Sequence, residues 1–395
     1  MAASITQKDS ITFLSGSEQQ KALAMTRLSD SLTAMVYQYY VSASNNYAAT
    51  ATFDFDKATE SITHDDTNFT DNGQARSSVN RGICTINSSH WATQYQEYAG
   101  GYPTKAVTYS HASSTITRED TEVIGGSEYG YEADIELLDS THLVSSVTPN
   151  ATAGKINITE FDSSTYEMTY NSSSTTFTSS ACRRNSIAVL SSSKFVVAWY
   201  NNSTNDGAVA LCTVDGSYNV TVEDTYTFDT DRGNHPCAIK IDSDHFAIVY
   251  QSFDGSTNYP GVCRTFGVSG SNEISEIDSY EFDSYAAFTT IDRFGSTDYY
   301  ALSYGTYTGS TYDAEVQVIE IDDSFNISTV ATLNHWSGSG SGAYYEGVAC
   351  LDDEYFMACF SDVNDNYKGY VRLFKFDSGE TPAVVNNALF FGSNF

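Results

Sequence analysis

Basic residues are scarce in this chain: 19 lysines and arginines stand against 50 aspartates and glutamates in 395 residues, a formal charge of -31. That balance argues against nucleic acid as a partner, because nothing here could neutralise a run of phosphates, and against an anionic membrane surface. Proline is nearly absent, at 5 residues, and long amphipathic helical patterns are missing. The best helical stretch, residues 18–25, falls where a loop leading into a first strand is expected. No apolar run reaches the length that spans a bilayer. The opening MAASITQKDSITFLSG lacks the basic and apolar regions of a secretory signal. The 7 cysteines are an odd number, so they cannot all pair with one another. Cys212 and Cys263 occupy matching positions, as small buried apolar residues do, which predicts reduced core thiols and folding in a reducing compartment. Cys350 and Cys359, on adjacent expected strands, are the first pair to test for a disulfide.

Catalytic signatures are missing too. There is no G-x-S-x-G elbow, Walker loop or dinucleotide fingerprint, and GSGSG at 338–342 has no strand-to-helix context that would make it a phosphate cradle. His64, His111, His235 and His335 follow no zinc spacing.

What the chain does contain is one phrase of roughly 52 residues stated seven times. Its clearest copies are VLSSSKFVVAWY at 189–200, KIDSDHFAIVY at 240–250, LLDSTHLVSSV at 137–147, TINSSHWATQY at 85–95 and CLDDEYFMACF at 350–360. The last apolar residue before each acidic turn serves as an anchor: Leu28, Ile86, Leu138, Leu190, Ile241, Ile291 and Leu351. A period of this size means stacked supersecondary units that cannot bury a face alone. Within a unit, apolar runs separated by turn residues read as four short antiparallel strands, a to d. The sequence thus predicts an all-β fold of seven four-stranded blades near residues 18–78, 79–130, 131–182, 183–233, 234–285, 286–342 and 343–377. A terminal strand at 10–14 would close the ring, leaving a tail at 378–395.

Repetition also bears on the polar residues. His90, His142 and His245 each lie four residues after an anchor, so they are spaced around a ring and cannot converge on one ion. Asp139, Asp242, Asp292 and Asp352 directly follow their anchors and read as turn residues rather than a catalytic pair. Asp362, Asn364 and Asn366 alternate like a calcium loop, and Asp66, Asn68, Asp71 and Asn72 crowd another. Both lack the downstream glutamate, so calcium is only a weak expectation, with no other cofactor.

The b to c loops carry the strongest functional signal. They read YVSASNNY, YAGGYP, TPNATAG, YNNSTNDG, SFDGSTNYPG, GTYTGSTYD and SDVNDNYKG, and a closed ring gathers them on one face. Tyrosine offers a large amphipathic surface at low entropic cost, while Ser, Gly and Asn hydrogen-bond adaptably. Candidate ligand residues are therefore Tyr47, Tyr98, Tyr102, Tyr200, Asn202, Tyr259, Tyr307, Tyr312 and Tyr367. The d to a connections should open on the same face, where Arg81, Arg183, Arg184, Arg232 and His235 occupy matching slots. In so acidic a chain Arg81, Arg184 and His235 suggest an anion or acidic-glycan pocket, the alternative being pairing with neighbouring carboxylates.

The repeat resembles that of β-propellers, without the motifs of WD40, kelch or sialidase propellers. In its degenerate blades, its Tyr/Ser/Thr/Asn-rich loops and its lack of an export signal, the chain resembles propellers of tailed-virus structural proteins. That resemblance implies a non-enzymatic, tail- or capsid-associated virion surface protein, assembled in the host cytoplasm and present in several copies. It would adhere to host glycan or to another virion protein through the b to c face. The alternatives are a secreted carbohydrate-active enzyme and a purely structural scaffold subunit.

Overall fold

A computed structural model describes residues 2–13, 19–42, 45–69, 75–77, 82–97, 103–125, 134–148, 153–255, 258–307, 309, 311–337 and 342–379. The chain lays down seven antiparallel sheets in succession, each starting at its inner strand. Blade 1 is Gln19–Ser29, Leu32–Ser42, Asn45–Asp56 and Ser61–Phe69. In blade 2 the inner strand is split into Ala75–Ser77 and Ile83–Asn87, followed by His90–Glu97, Thr104–His111 and Ile116–Gly125. Blade 3 is Ile135–Asp139, His142–Val147, Gly154–Phe161 and Met168–Thr178. Blade 4 is Cys182–Ser191, Lys194–Asn201, Gly207–Val214 and Val220–Asp229. Blade 5 is Asn234–Lys240, His245–Gln251, Gly261–Val268 and Ile274–Asp283. Blade 6 is Ala286–Arg293, Tyr299–Tyr307, Tyr312–Ile321 and Ile327–Trp336. Blade 7 takes Ala343–Cys350, Tyr355–Asp362 and Lys368–Asp377 from the end of the chain, and Ser4–Phe13 from its beginning as the outermost strand. The fold is therefore the all-β, seven-bladed propeller that the repeat predicts, closed by a terminal strand. Residues 18–25 belong mostly to the first inner strand, and the described residues hold no helix long and apolar enough to cross a membrane.

Residue pattern explains each strand's radial position. Middle strands pack on neighbouring blades through both faces, so they are apolar throughout: Phe195, Val196, Val197, Ala198 and Trp199 are all buried. Outermost strands touch solvent on one face and alternate accordingly, as Thr221, Glu223, Thr225 and Thr227 point outward from Val220–Asp229. The seams between blades form the core. Leu190, Phe228, Phe246 and Tyr250 fill the seam of blades 4 and 5, and Phe13, Tyr37, Phe53 and Met357 that of blades 7 and 1. All seven cysteines are buried free thiols. Cys350 pairs across the strand with Phe356 and Cys359 with Gly347, and the two sulfurs pack into different seams. Burial lifts the Cys182 thiol to about 11 and Cys212 to about 12.

The rim is fastened by aspartates that repeat with the blades. Asp9, Asp66, Asp120, Asp224 and Asp278 each sit at a bulge in an outermost strand. Each offers Oδ2 to a backbone N–H at the start of the next outermost strand, at Ile62, Ile116, Met168, Ile274 and Ile327, over 2.7 to 2.9 Å. An edge amide that would otherwise look for another chain is thereby satisfied. Much of the acidic content in these strands is fastening, a role distinct from turn chemistry and solubility.

Candidate functional site

The up-and-down course of each blade divides the loops between two faces. The a to b and c to d turns share one face, and there Asp139, Asp242 and Asp352 cap their turns, accepting from Thr141, Asp244 and Glu354 amides. Asp292 departs from the set: it accepts from Arg293 N and reaches across to Cys350 N of blade 7 at 2.8 Å. The histidines of this face are latches. His90, His142 and His245 are held through Nδ1 by Asn87, Asp139 and Asp242. They stack on Tyr166, Tyr218 and Phe325 in the c to d turn of the next blade, with ring centroids 3.7, 3.5 and 3.7 Å apart. Those aromatics adopt φ of 58°, 60° and 64°, which turns each ring back toward its neighbour. Tyr355 fills the same slot in blade 7 and donates to Glu60 of blade 1 at 2.6 Å.

The opposite face, formed by b to c loops and d to a connections, is built around bulges in the inner strands. The register slips between Arg183 and Ser186, between Asn234 and Cys237, and between Ala287 and Thr290. The slip puts Arg184, His235 and Phe288 at φ of 56°, 50° and 56°, a conformation that non-glycine residues seldom hold. Each of the three reaches across a seam. Arg184 donates to Asn234, His235 meets the Phe288 ring edge-on at 4.6 Å, and Phe288 meets Tyr344 at 5.1 Å. This inner arc follows the mouth of the central channel.

A second arc runs outside it. The Arg232 guanidinium lies over the Tyr259 ring at 4.8 Å, and Tyr259 contacts Tyr285 at 5.4 Å. Tyr285 in turn meets Tyr307 and Tyr312, with the Tyr285 and Tyr312 hydroxyls 3.1 Å apart, and Tyr312 reaches Tyr344, where the arcs join. Burial chiefly, with help from that hydroxyl contact, pushes the Tyr285 phenol above its usual range. Tyr307 remains 41% exposed, so the arc is an accessible surface rather than core.

The structure thus brings together Tyr259, Tyr307, Tyr312, Arg184 and His235. It sets apart Tyr47, which packs with Tyr39 and the exposed Phe69 on blade 1. Tyr200 donates to Asn205 within its own loop, Asn202 is exposed beside it, and Tyr367 occupies a tight turn at φ 57°. Tyr98, Tyr102 and Arg81 lie outside the described residues. Tyr285, Tyr344 and Phe288 complete the arcs but escaped the sequence reading, which sought aromatics only in b to c loops. The signal was available: all three lie in the slots after a d strand where Arg232 and His235 also fall.

The calcium candidates are otherwise engaged. Asp362 is buried, with Oδ1 accepting from Asn364 N at 2.9 Å and Oδ2 from Trp336 Nε1 at 3.2 Å, while Asn364 and Asn366 are exposed. In the other loop Asp66 is a rim fastener and Asn68 donates to Ile116 O; Asp71 and Asn72 lie outside the described residues. No group of three or more His, Cys, Asp or Glu is placed to hold a metal among the described residues.

One buried carboxyl and one half-buried pair lie near the tyrosine arc. Glu346 is fully buried and its carboxyl is pushed up to about 8, chiefly by desolvation, against a hydrogen bond from Ser303 Oγ at 2.8 Å and the charge of Arg372. Glu315 is lifted to about 7 by burial first and then by Asp283, with which it shares a hydrogen bond beneath Tyr304. One section of the channel, of about 200 Å³, is lined by Met25, Ile83, Glu136, Ile291 and Asp292 among others, and another of about 470 Å³ by Ile187, Val189 and Lys240.

No family model matches the chain, and no curated protein matches it. Solved structures do. A protein of unknown function from Dyadobacter fermentans DSM 18053 aligns over 94% of this chain and 99% of its own, at 8% identity and a TM-score of 0.52. A candidate 6-phosphogluconolactonase from Bacteroides uniformis ATCC 8492 aligns over 89% of this chain and 95% of its own, at 6% identity and a TM-score of 0.54. At such identities the likeness shows the fold alone.

Proposed function

We propose that the chain is a non-enzymatic binding protein, displayed in several copies on a virus particle. It grips a host glycan or a neighbouring virion protein through the loop face of blades 4 to 7. One observation carries the binding role: the aromatic arc from Tyr259 through Tyr285, Tyr307 and Tyr312 to Tyr344, part-exposed and set beside a channel mouth. Rigid aromatic rings with polar edges suit both sugar faces and protein partners. Weak contacts of this kind become useful when copies act together. The lactonase named among the similar structures contributes a fold to this picture and no residue.

The test is a glycan array and a pull-down from disrupted particles, run with the wild type and with Tyr259→Ala, Tyr307→Ala and Tyr312→Ala combined. Loss of binding with unchanged circular dichroism supports the proposal. Unchanged binding by the triple variant, or turnover of a bound glycan, overturns it. Virion placement is tested separately, by immunogold labelling of purified particles and by whether capsid, portal or tail genes adjoin this one.

A further inference from the structure

Several lysines and arginines of this acidic molecule sit on carboxylates, as Lys8 does on Glu60, Lys194 on Asp244, Arg264 on Glu276 and Lys368 on Asp365. Arg232 does not. Its guanidinium makes no ion pair among the described residues and lies instead over Tyr259, with Nε buried and lacking a hydrogen-bond partner. Asp229, three residues earlier, is no counter-ion for it. Asp229 Oδ1 is taken by the amides of Asp231 and Arg232 at 2.8 Å each, and Oδ2 by Ser252 Oγ at 2.6 Å.

His235 lies beside this cation. It is 7% exposed, with its ring edge-on to Phe288 at 4.6 Å. Burial first, and then the charges of Arg184 and Arg232, hold its pKa well below the usual imidazole range. The imidazole is therefore neutral, with one nitrogen to donate and one to accept. Positive φ at Arg184 and His235 carries each side chain across its seam, Arg184 to Asn234 and His235 to Phe288.

We infer that the mouth between blades 4 and 5 is a subsite for the carboxylate of an acidic sugar, anchored by Arg232 with Arg184 beside it. His235 meets a sugar hydroxyl and Tyr259 supports the ring. The inference rests on the glycan reading proposed above and narrows it to carboxylated pyranoses. A guanidinium fork matches a planar carboxylate in two parallel hydrogen bonds, and the adjoining Tyr259 and Phe288 faces suit the apolar side of a sugar ring. In a molecule of charge -31, a pocket of the opposite sign also concentrates an anionic ligand that the rest of the surface repels.

The experiment is titration calorimetry of the full chain with trigalacturonate and with sialyllactose, each paired with its carboxyl-reduced counterpart. The expected result is at least about tenfold tighter binding of one acid over its reduced form, a preference that weakens with salt. Arg232→Gln should remove the preference, read as the ratio of acid to reduced-form affinity, and Arg232→Lys should restore it only in part. The two acids distinguish a uronic from a nonulosonic ligand. Equal binding of acid and reduced forms, or equal weakening of both by Arg232→Gln, overturns the subsite but leaves the tyrosine arc as a glycan surface. Binding of no glycan at all overturns both.

Discussion

Glu346 offers the sharpest quantitative test of how this ring is held together. Its carboxyl is buried between the inner strand of blade 7 and Ser303 of blade 6, and Oε1 has no hydrogen-bond partner. Desolvation raises its pKa from the ordinary 4.5 to about 8, so the folded chain keeps this proton when the unfolded chain has released it. Stability from the neutral acid is therefore complete below about pH 4.5 and drains away as the pH climbs toward 8. Linkage puts the loss at about 3 kcal/mol by pH 7 and about 5 kcal/mol by pH 9. Glu346→Gln keeps the shape and the acceptor for Ser303 while removing the titration. Scanning calorimetry at several pH values should give wild type and variant within about 1 kcal/mol at pH 5. The variant should then melt higher by about 4 °C at pH 7 and about 6 °C at pH 9, for a domain of this length. Other carboxylates titrate in both proteins and cancel in the difference. A flat difference curve, or a wild type that is more stable at pH 9, would refute the burial argument.

His142→Ala and Tyr218→Ala should each weaken the seam between blades 3 and 4, and a double-mutant cycle in urea should return a coupling of about 1 kcal/mol for the stacked pair, whose members both hydrogen-bond to Asp139. A coupling near zero would mean the stack is incidental. Gly207 packs so closely that an added Cβ would lie 2.2 Å from the Phe228 ring and 2.7 Å from Gly233 Cα, so Gly207→Ala should cost about 1–3 kcal/mol in chemical denaturation. Asp134 is fully buried and accepts from the amides of Gly82, Ile135 and Ile187, joining blades 2, 3 and 4. Asp134→Ala strands those donors and should lower stability by about 3 kcal/mol or more, whereas Asp224→Ala, at the solvated rim, should lower it by about 1 kcal/mol.

The blade count and the ring were legible because burial on both faces forces apolar runs in the middle strands, and the circle repeats that demand seven times. Phe195 to Trp199 and Phe246 to Tyr250 announce themselves for this reason. The rim aspartates were equally periodic but looked like any solvated acid, since their partner is a backbone amide about 50 residues away, which no composition signal marks. The candidate site was half legible. Tyr259, Tyr307 and Tyr312 stood out in glycine- and asparagine-rich loops, while Phe288 and Tyr344 read as strand residues until the inner-strand bulges turned them toward the channel mouth.

The outermost strand of blade 7 has a further consequence for how the protein is made. Ser4 pairs with Asp377 and Phe13 with Gly369, so a strand made before any of the seven inner strands finds its place only after the last blade has been synthesised. Until then its partner strand in blade 7 does not exist, and its backbone edge is unpaired. Assembly is forced into a single late closing step with high sequence separation, and growing chains present a waiting strand to one another. A cell making this protein in quantity must keep nascent neighbours apart, or they will close each other's rings.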